Sequence, residues 1–180
     1  PFHMVDRSII KTIPEELVDG SPDASVFDEE QNASMEALRE IQHAHEKDVN
    51  NLLWGSAEAD FNGIYGADQV TIPGTKWDNG GTIRDDVREE LKTVYKRCGY
   101  FPNTILMTNK VFDTIASDPN NEVGERIKYT SGSVPTEQIL AQYFGVQNVI
   151  IPNNLEDNAN PGQGENFDFM WTGDHVGLFY

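Results

Sequence analysis

Asn103-Thr104-Ile105-Leu106-Met107 runs almost directly into Lys110-Val111-Phe112-Asp113-Thr114-Ile115-Ala116-Ser117, and the two halves follow different periodicities. The first is a short apolar run of the kind that fills a buried strand, and the second places Val111, Phe112, Ile115 and Ala116 on one side of a helix. A second unit of the same kind follows. A helix beginning near Pro135 carries Ile139, Leu140, Tyr143 and Phe144, stops at Gly145, and leads into a strand from Val146 to Ile151. Two strand-and-helix units joined by short loops predict a central sheet flanked by helices.

Upstream, Thr82-Ile83-Arg84-Asp85 resembles a helix cap with Asp in place of Glu. Ile83, Val87, Leu91, Val94, Tyr95 and Cys98 then form one apolar stripe that ends at Gly99, so we expect a helix with Cys98 buried beneath it. From Gly55 to Gly81 glycine and proline punctuate a connector, with one strand expected at Val70-Thr71-Ile72. Before the connector, Leu38, Ile41, His45, Val49, Leu52 and Leu53 recur at three- and four-residue spacing, which predicts a helix from Asp28 to Trp54 of roughly 40 Å. Its first turn would hold Asp28, Glu29 and Glu30, where the helix dipole favours anions. A helix this long cannot bury every face in a small domain. We expect one side to lie on its own subunit and the side with Arg39 and Lys47 to line a neighbour. Ser8 to Pro14 reads as a short strand or extended arm. After Ile151, the Asn-rich stretch from Asn153 to Asn166 reads as a mobile loop. Phe167 to Trp171 and His175 to Tyr180, joined by Thr172-Gly173-Asp174, read as a β-hairpin.

Composition narrows the function. Thirty acidic residues against 13 basic ones give a formal charge of −17, which repels a phosphate backbone and disfavours a sequence-independent grip on nucleic acid. Cys98 is the single cysteine and can form no disulfide within the chain, and no apolar run approaches the length needed to span a bilayer. A reducing, membrane-free compartment is expected, and no leader pattern points to secretion. The sequence opens on Pro1 and closes on Val176-Gly177-Leu178-Phe179-Tyr180, so a longer parent chain is expected.

Each candidate for chemistry has a plainer structural reading. His43 and His45 are two apart, which on a regular helix turns them roughly 200° from one another, so they cannot share a metal ion. His3 and His175 have no ligand-type neighbours at metal spacing. Cys98 has Lys96 and Arg97 beside it, but it completes an apolar stripe, where a thiol acts as a small hydrophobe. No Gly-x-Ser-x-Gly elbow occurs, and Ser131-Gly132-Ser133 reads as a loop leading to a helix. Gly74-Thr75-Lys76 matches only the tail of a phosphate loop, with its earlier glycine at the wrong spacing. Asp85-Asp86, Glu89-Glu90 and Glu15-Glu16 suit a solvated face. We therefore expect no catalytic, cofactor-binding or metal-binding residues, and no metal or nucleotide requirement for folding.

The order of segments carries more than any one of them. Trp77-Asp78, the helix from Ile83 to Cys98, Phe101-Pro102-Asn103-Thr104-Ile105-Leu106, Glu125-Arg126-Ile127-Lys128-Tyr129-Thr130 and Gln138-Ile139-Leu140-Ala141-Gln142-Tyr143-Phe144-Gly145-Val146 follow one another. In that order they resemble the major capsid proteins of tailed phages, whose Hong Kong 97-type fold is shared by encapsulins. The resemblance covers about half of the chain, from Trp77 to Ile151. It implies an α+β fold in which residues 1–80 are a peripheral-domain portion, with spine helix and connector, and residues 81–180 are the axial domain, a mixed sheet with flanking helices. The family's extended N-terminal arm and closing peripheral strands have no visible counterpart.

What the resemblance implies about function is a self-assembling structural subunit. Pentamers and hexamers would build an icosahedral or prolate capsid around double-stranded DNA, with no sequence-specific binding and no membrane. Scaffolding, portal or decoration proteins would be its partners, and the virion its location after assembly in the host cytoplasm. An encapsulin-like compartment enclosing cargo proteins is the alternative. A small α/β enzyme or a monomeric binding module are readings from other classes.

Overall fold

The computed structural model describes residues 8–13, 23–55, 70–79, 82–117, 123, 135–160 and 162–180. The Glu125 to Thr130 segment, Ser131-Gly132-Ser133, Glu15-Glu16, His3, Gly63, Gly66, Gly80 and Gly81 lie outside those residues. The chain divides into two compact units, Pro1–Leu53 and Trp54–Tyr180.

The first unit is dominated by helix α1, Asp23–Trp54, of 32 residues. It begins five residues earlier than its apolar stripe predicts, so Asp28, Glu29 and Glu30 lie past its first turn. From Gln31 to Leu53 no side chain of α1 is fully buried. Met35, Leu38 at 55%, Ile41 and Leu52 are exposed. The other described segment of this unit, 8–13, forms neither helix nor strand. It is tied to the helix by Lys11, whose ammonium meets Glu40 at 2.5 Å and Glu36 at 3.5 Å. These carboxylates are one helical turn apart and so present a single anionic face to the cation. The hydrogen bond to Glu40 holds the Lys11 ammonium above its ordinary value, with Glu36 adding to the effect.

The second unit is built around a three-stranded mixed sheet. Strand β1, Thr104–Met107, lies in the middle. Strand β2, Asn148–Ile150, runs parallel to it, with Ile105 opposite Val149. Antiparallel β5, Val176–Phe179, closes the other side, with Thr104 opposite Phe179 and Met107 opposite Val176. A central strand covered on both faces needs a continuous apolar run, which Ile105, Leu106 and Met107 supply.

Among the described residues, three helices pack on this sheet. Helix α2 spans Ile83–Cys98, α3 Asn109–Ser117 and α4 Glu137–Phe144. Ile83, Val87 and Leu91 of α2, Val111 and Ile115 of α3, and Leu140, Ala141 and Phe144 of α4 share one core with Ile105, Met107, Val149 and Ile151. Helices α2 and α4 stop where Gly99 and Gly145 adopt positive φ and return their N–H groups to Tyr95 and Ala141, a conformation that side chains with a Cβ resist. At its start α4 is capped by Thr136, whose Oγ1 accepts from Ile139 N–H at 3.4 Å. Thr82 makes no such side-chain bond. Asp86 instead accepts from the Trp77 indole at 2.9 Å, holding the short 3-10 turn Trp77–Asn79 against α2.

Four expectations need correcting. Val70-Thr71-Ile72 is not a strand. Cys98 is exposed, as is Tyr95, because α2 has outrun its cover after Leu91 and Val94 and its last turn projects from the core. The Asn-rich stretch contains strand β3, Leu155–Asp157, which pairs antiparallel with β4, Phe167–Phe169. Consequently β4 and β5 do not form a hairpin with each other, since β4 turns back on β3 and β5 crosses to β1.

Candidate assembly surface

The carboxyl ends of β1 and β2 are where open α/β enzymes place their ligands, so they are the first place to look for chemistry. Thr108, directly after β1, is buried; its hydroxyl donates to the Gly173 carbonyl at 2.7 Å and its N–H to the His175 carbonyl at 3.2 Å. Asn109 donates to Asn153 at 2.7 Å, and Lys110 pairs with Asp174 at 3.1 Å. The His175 imidazole stacks on the buried Trp54 indole, with centroids 5.3 Å apart. These groups clamp the loop before β5 onto the end of β1. They form no nucleophile and base pair, because the Thr108 hydroxyl is spent on a backbone carbonyl.

The residues weighed for chemistry in the sequence are not brought together. His43 is half-buried and His45 exposed, both on α1 in the first unit. Cys98 lies at the exposed end of α2. Gly74, Thr75 and Lys76 belong to a loop that leads into the short 3-10 turn Trp77–Asn79, and α2 begins only at Ile83. Asp85 and Glu89 face solvent, while Asp86 is engaged by Trp77. Among the described residues no three His, Cys, Asp or Glu side chains converge as metal ligands, and no helix is long and apolar enough to cross a membrane.

What the second unit does present is two exposed apolar surfaces, neither of which periodicity alone reveals. At the start of β1, Tyr95 and Phe101 meet with ring centroids 4.7 Å apart, and Tyr100 and Tyr180 at 5.0 Å. All four rings remain exposed, Tyr180 at 77%. The clustering of aromatics around the end of α2 is the one signal in the sequence that could have found them. Beyond the far end of the sheet, the β3–β4 hairpin aligns Leu155 with Phe169 and Asp157 with Phe167. Because facing residues of paired strands point to the same side, Leu155, Phe167 and Phe169 make an apolar strip. Phe167 is 59% exposed.

The hairpin is held by its own carboxylate. Asp157 Oδ1 accepts from the backbone N–H of Asn166 and of Ala159, each at 2.9 Å. The Asn166 bond, and next the Ala159 bond, lower the Asp157 carboxyl below its ordinary value of 3.8. The folded carboxyl therefore loses its proton more easily than the unfolded one. Its contribution to stability is present above the unfolded value and is lost as pH falls through the lower folded one. The Ala159 and Asn166 amide resonances should shift with a midpoint below pH 3.8, and Asp157→Ala should abolish that step. A midpoint above the ordinary value would show that the carboxylate does not hold the loop.

No model of a known protein family matches the chain, and no curated protein does. Among solved structures, a phage-related protein from Bordetella bronchiseptica superposes on 82% of this chain with a TM-score of 0.65 and 21% sequence identity. The chain shares the fold of a phage-related protein. The matched part is 46% of that protein, so the chain spans about half the length of its phage-related neighbour. At this identity the likeness concerns fold alone, and the phage-related fold is α+β with a small mixed sheet.

Proposed function

We propose that the chain is part of a structural shell subunit with a Hong Kong 97-type fold, and not an enzyme. In this reading α1 is the spine helix of a peripheral domain within residues 1–80, and residues 81–180 are the axial domain. Copies would assemble into pentamers and hexamers of a tailed-phage capsid enclosing double-stranded DNA, and the protein would reside in the virion. The observation that carries the reading is the likeness in fold to a phage-related protein over most of the chain. Its support is the order of segments from Trp77 to Ile151, the uncovered apolar stripe of α1, and a charge of −17 that would let packaged DNA slide without sticking.

The test is negative-stain imaging and sedimentation of the full-length protein. Uniform closed shells are expected, and DNA rather than protein within particles from infected cells would separate a capsid from an encapsulin-like compartment. A protein that stays monomeric at every concentration would overturn the proposal.

A further inference from the structure

Four large aromatic side chains stand together where α2 ends, and the fold leaves all of them uncovered. Tyr95 packs on Phe101 and Tyr100 on Tyr180, yet each ring remains at least 46% exposed. The two pairs are neighbours. Tyr100 adjoins Phe101 in the sequence, and Tyr180 follows Phe179, which pairs with Thr104 at the same end of β1. A folded chain gains by hiding rings of this size, so a contiguous group left in water marks a surface that another molecule covers.

Charge says what kind of molecule that is. Lys92, Tyr95 and Lys96 follow one another at three- and four-residue spacing and so share a face of α2, and all three are exposed. Among the described residues neither lysine forms an ion pair, although the chain has 30 acids. The acids of α2, Asp85, Asp86, Glu89 and Glu90, lie in its first half, and residues 91–112 contain none. The helix dipole accounts for cations near a helix end. It does not account for the uncovered rings beside them.

We propose that the end of α2 is a docking surface for a short acidic segment of a partner protein, with carboxylates on Lys92 and Lys96 and apolar side chains on the four rings. Alternate residues of an extended segment point the same way, so two acids and then two apolar residues at alternate positions present both chemistries to one side. A nucleic acid fits less well. Its phosphates run on past the patch over a chain of charge −17, whose repulsion reaches about 8 Å at physiological salt, whereas a short segment ends within the patch. The inference does not rest on the shell reading, since a capsid subunit and a monomeric protein can each carry such a surface.

The experiment follows the fluorescence anisotropy of a labelled peptide that has glutamate and then leucine at alternate positions, with serine between them, as full-length protein is added at physiological salt. Saturable binding is expected. Lys92→Gln with Lys96→Gln, and separately Tyr100→Ala, should each weaken it on the order of tenfold. Both variants should keep the native circular dichroism spectrum, because the side chains changed are exposed. The same peptide with glutamine for glutamate should bind as weakly as the lysine variant. No saturable binding by the native protein, equal binding of the glutamine peptide, or unchanged affinity in both variants would overturn the proposal. Displacement of the peptide by oligothymidine at a lower concentration than by unlabelled peptide would overturn it in favour of a nucleic-acid surface. Sedimentation of the same samples reads the shell proposal separately, so either can fail alone.

Discussion

Ile105→Ala is expected to destabilise the second unit by about 2–5 kcal/mol, enough to unfold much of it if its stability is ordinary for a domain of its size. Ile105 is fully buried at the centre of β1, with Val149 on one side and Leu178 on the other. Truncation removes apolar contact with the core and leaves a cavity between paired strands that are held too firmly by their ladder to collapse into it. Urea unfolding followed by circular dichroism should show a lower midpoint with little change in slope. Ile10→Ala is the control, at a side chain 87% exposed, and should move stability by no more than about 0.5 kcal/mol. Equal effects of the two substitutions would mean that β1 is not the centre of the core.

Gly177→Ala is expected to damage the same unit by overpacking. A Cβ at this position would stand 2.5 Å from Phe179 Cε2 and 2.8 Å from Trp54 Cη2. The Phe179 ring is half-buried. Trp54 is 3% exposed and stacked on His175, so it cannot give way without breaking that stack. Overpacking of this kind costs about 1–3 kcal/mol. The near-ultraviolet circular dichroism of the tryptophans should change together with the melting temperature. A double-mutant cycle with Trp54→Leu identifies the cause, since the alanine should be much less harmful once the indole is gone. Additive effects would place the clash elsewhere.

The sequence and structure agree where the instructions are local. Strand β1, α3, α4 and β2 fall within about two residues of their expected limits, because apolar spacing and a glycine after each of α2 and α4 are sufficient signals. Disagreement begins where distant residues decide. Thr172-Gly173-Asp174 is good turn sequence, yet Gly173 and His175 give their carbonyls to Thr108, and that draws β5 to β1 instead of β4. Periodicity carried the α2 stripe through to Cys98, but nothing in periodicity says where the body beneath a helix ends. The two exposed surfaces were hidden for a related reason. Leu155 to Asp157 is too short and too acidic to read as a strand, and Tyr100 and Tyr180 meet only once the sheet has brought their segments together.

The central place of β1 also bears on when the second unit can be completed during synthesis. Thr108 waits for Gly173, 65 positions further along the chain, and β1 lacks its second neighbour until β5 has been made. During synthesis the helices α2, α3 and α4 can form as they emerge, but the sheet they cover stays half-paired, and contacts this distant in sequence form slowly. Tyr180, directly after β5, then meets Tyr100 with ring centroids 5.0 Å apart. A nascent chain would therefore have its β3–β4 hairpin before β1 had its second neighbour. The order in which the ribosome releases the strands thus leaves the closing of the core to the segment made after all its helices.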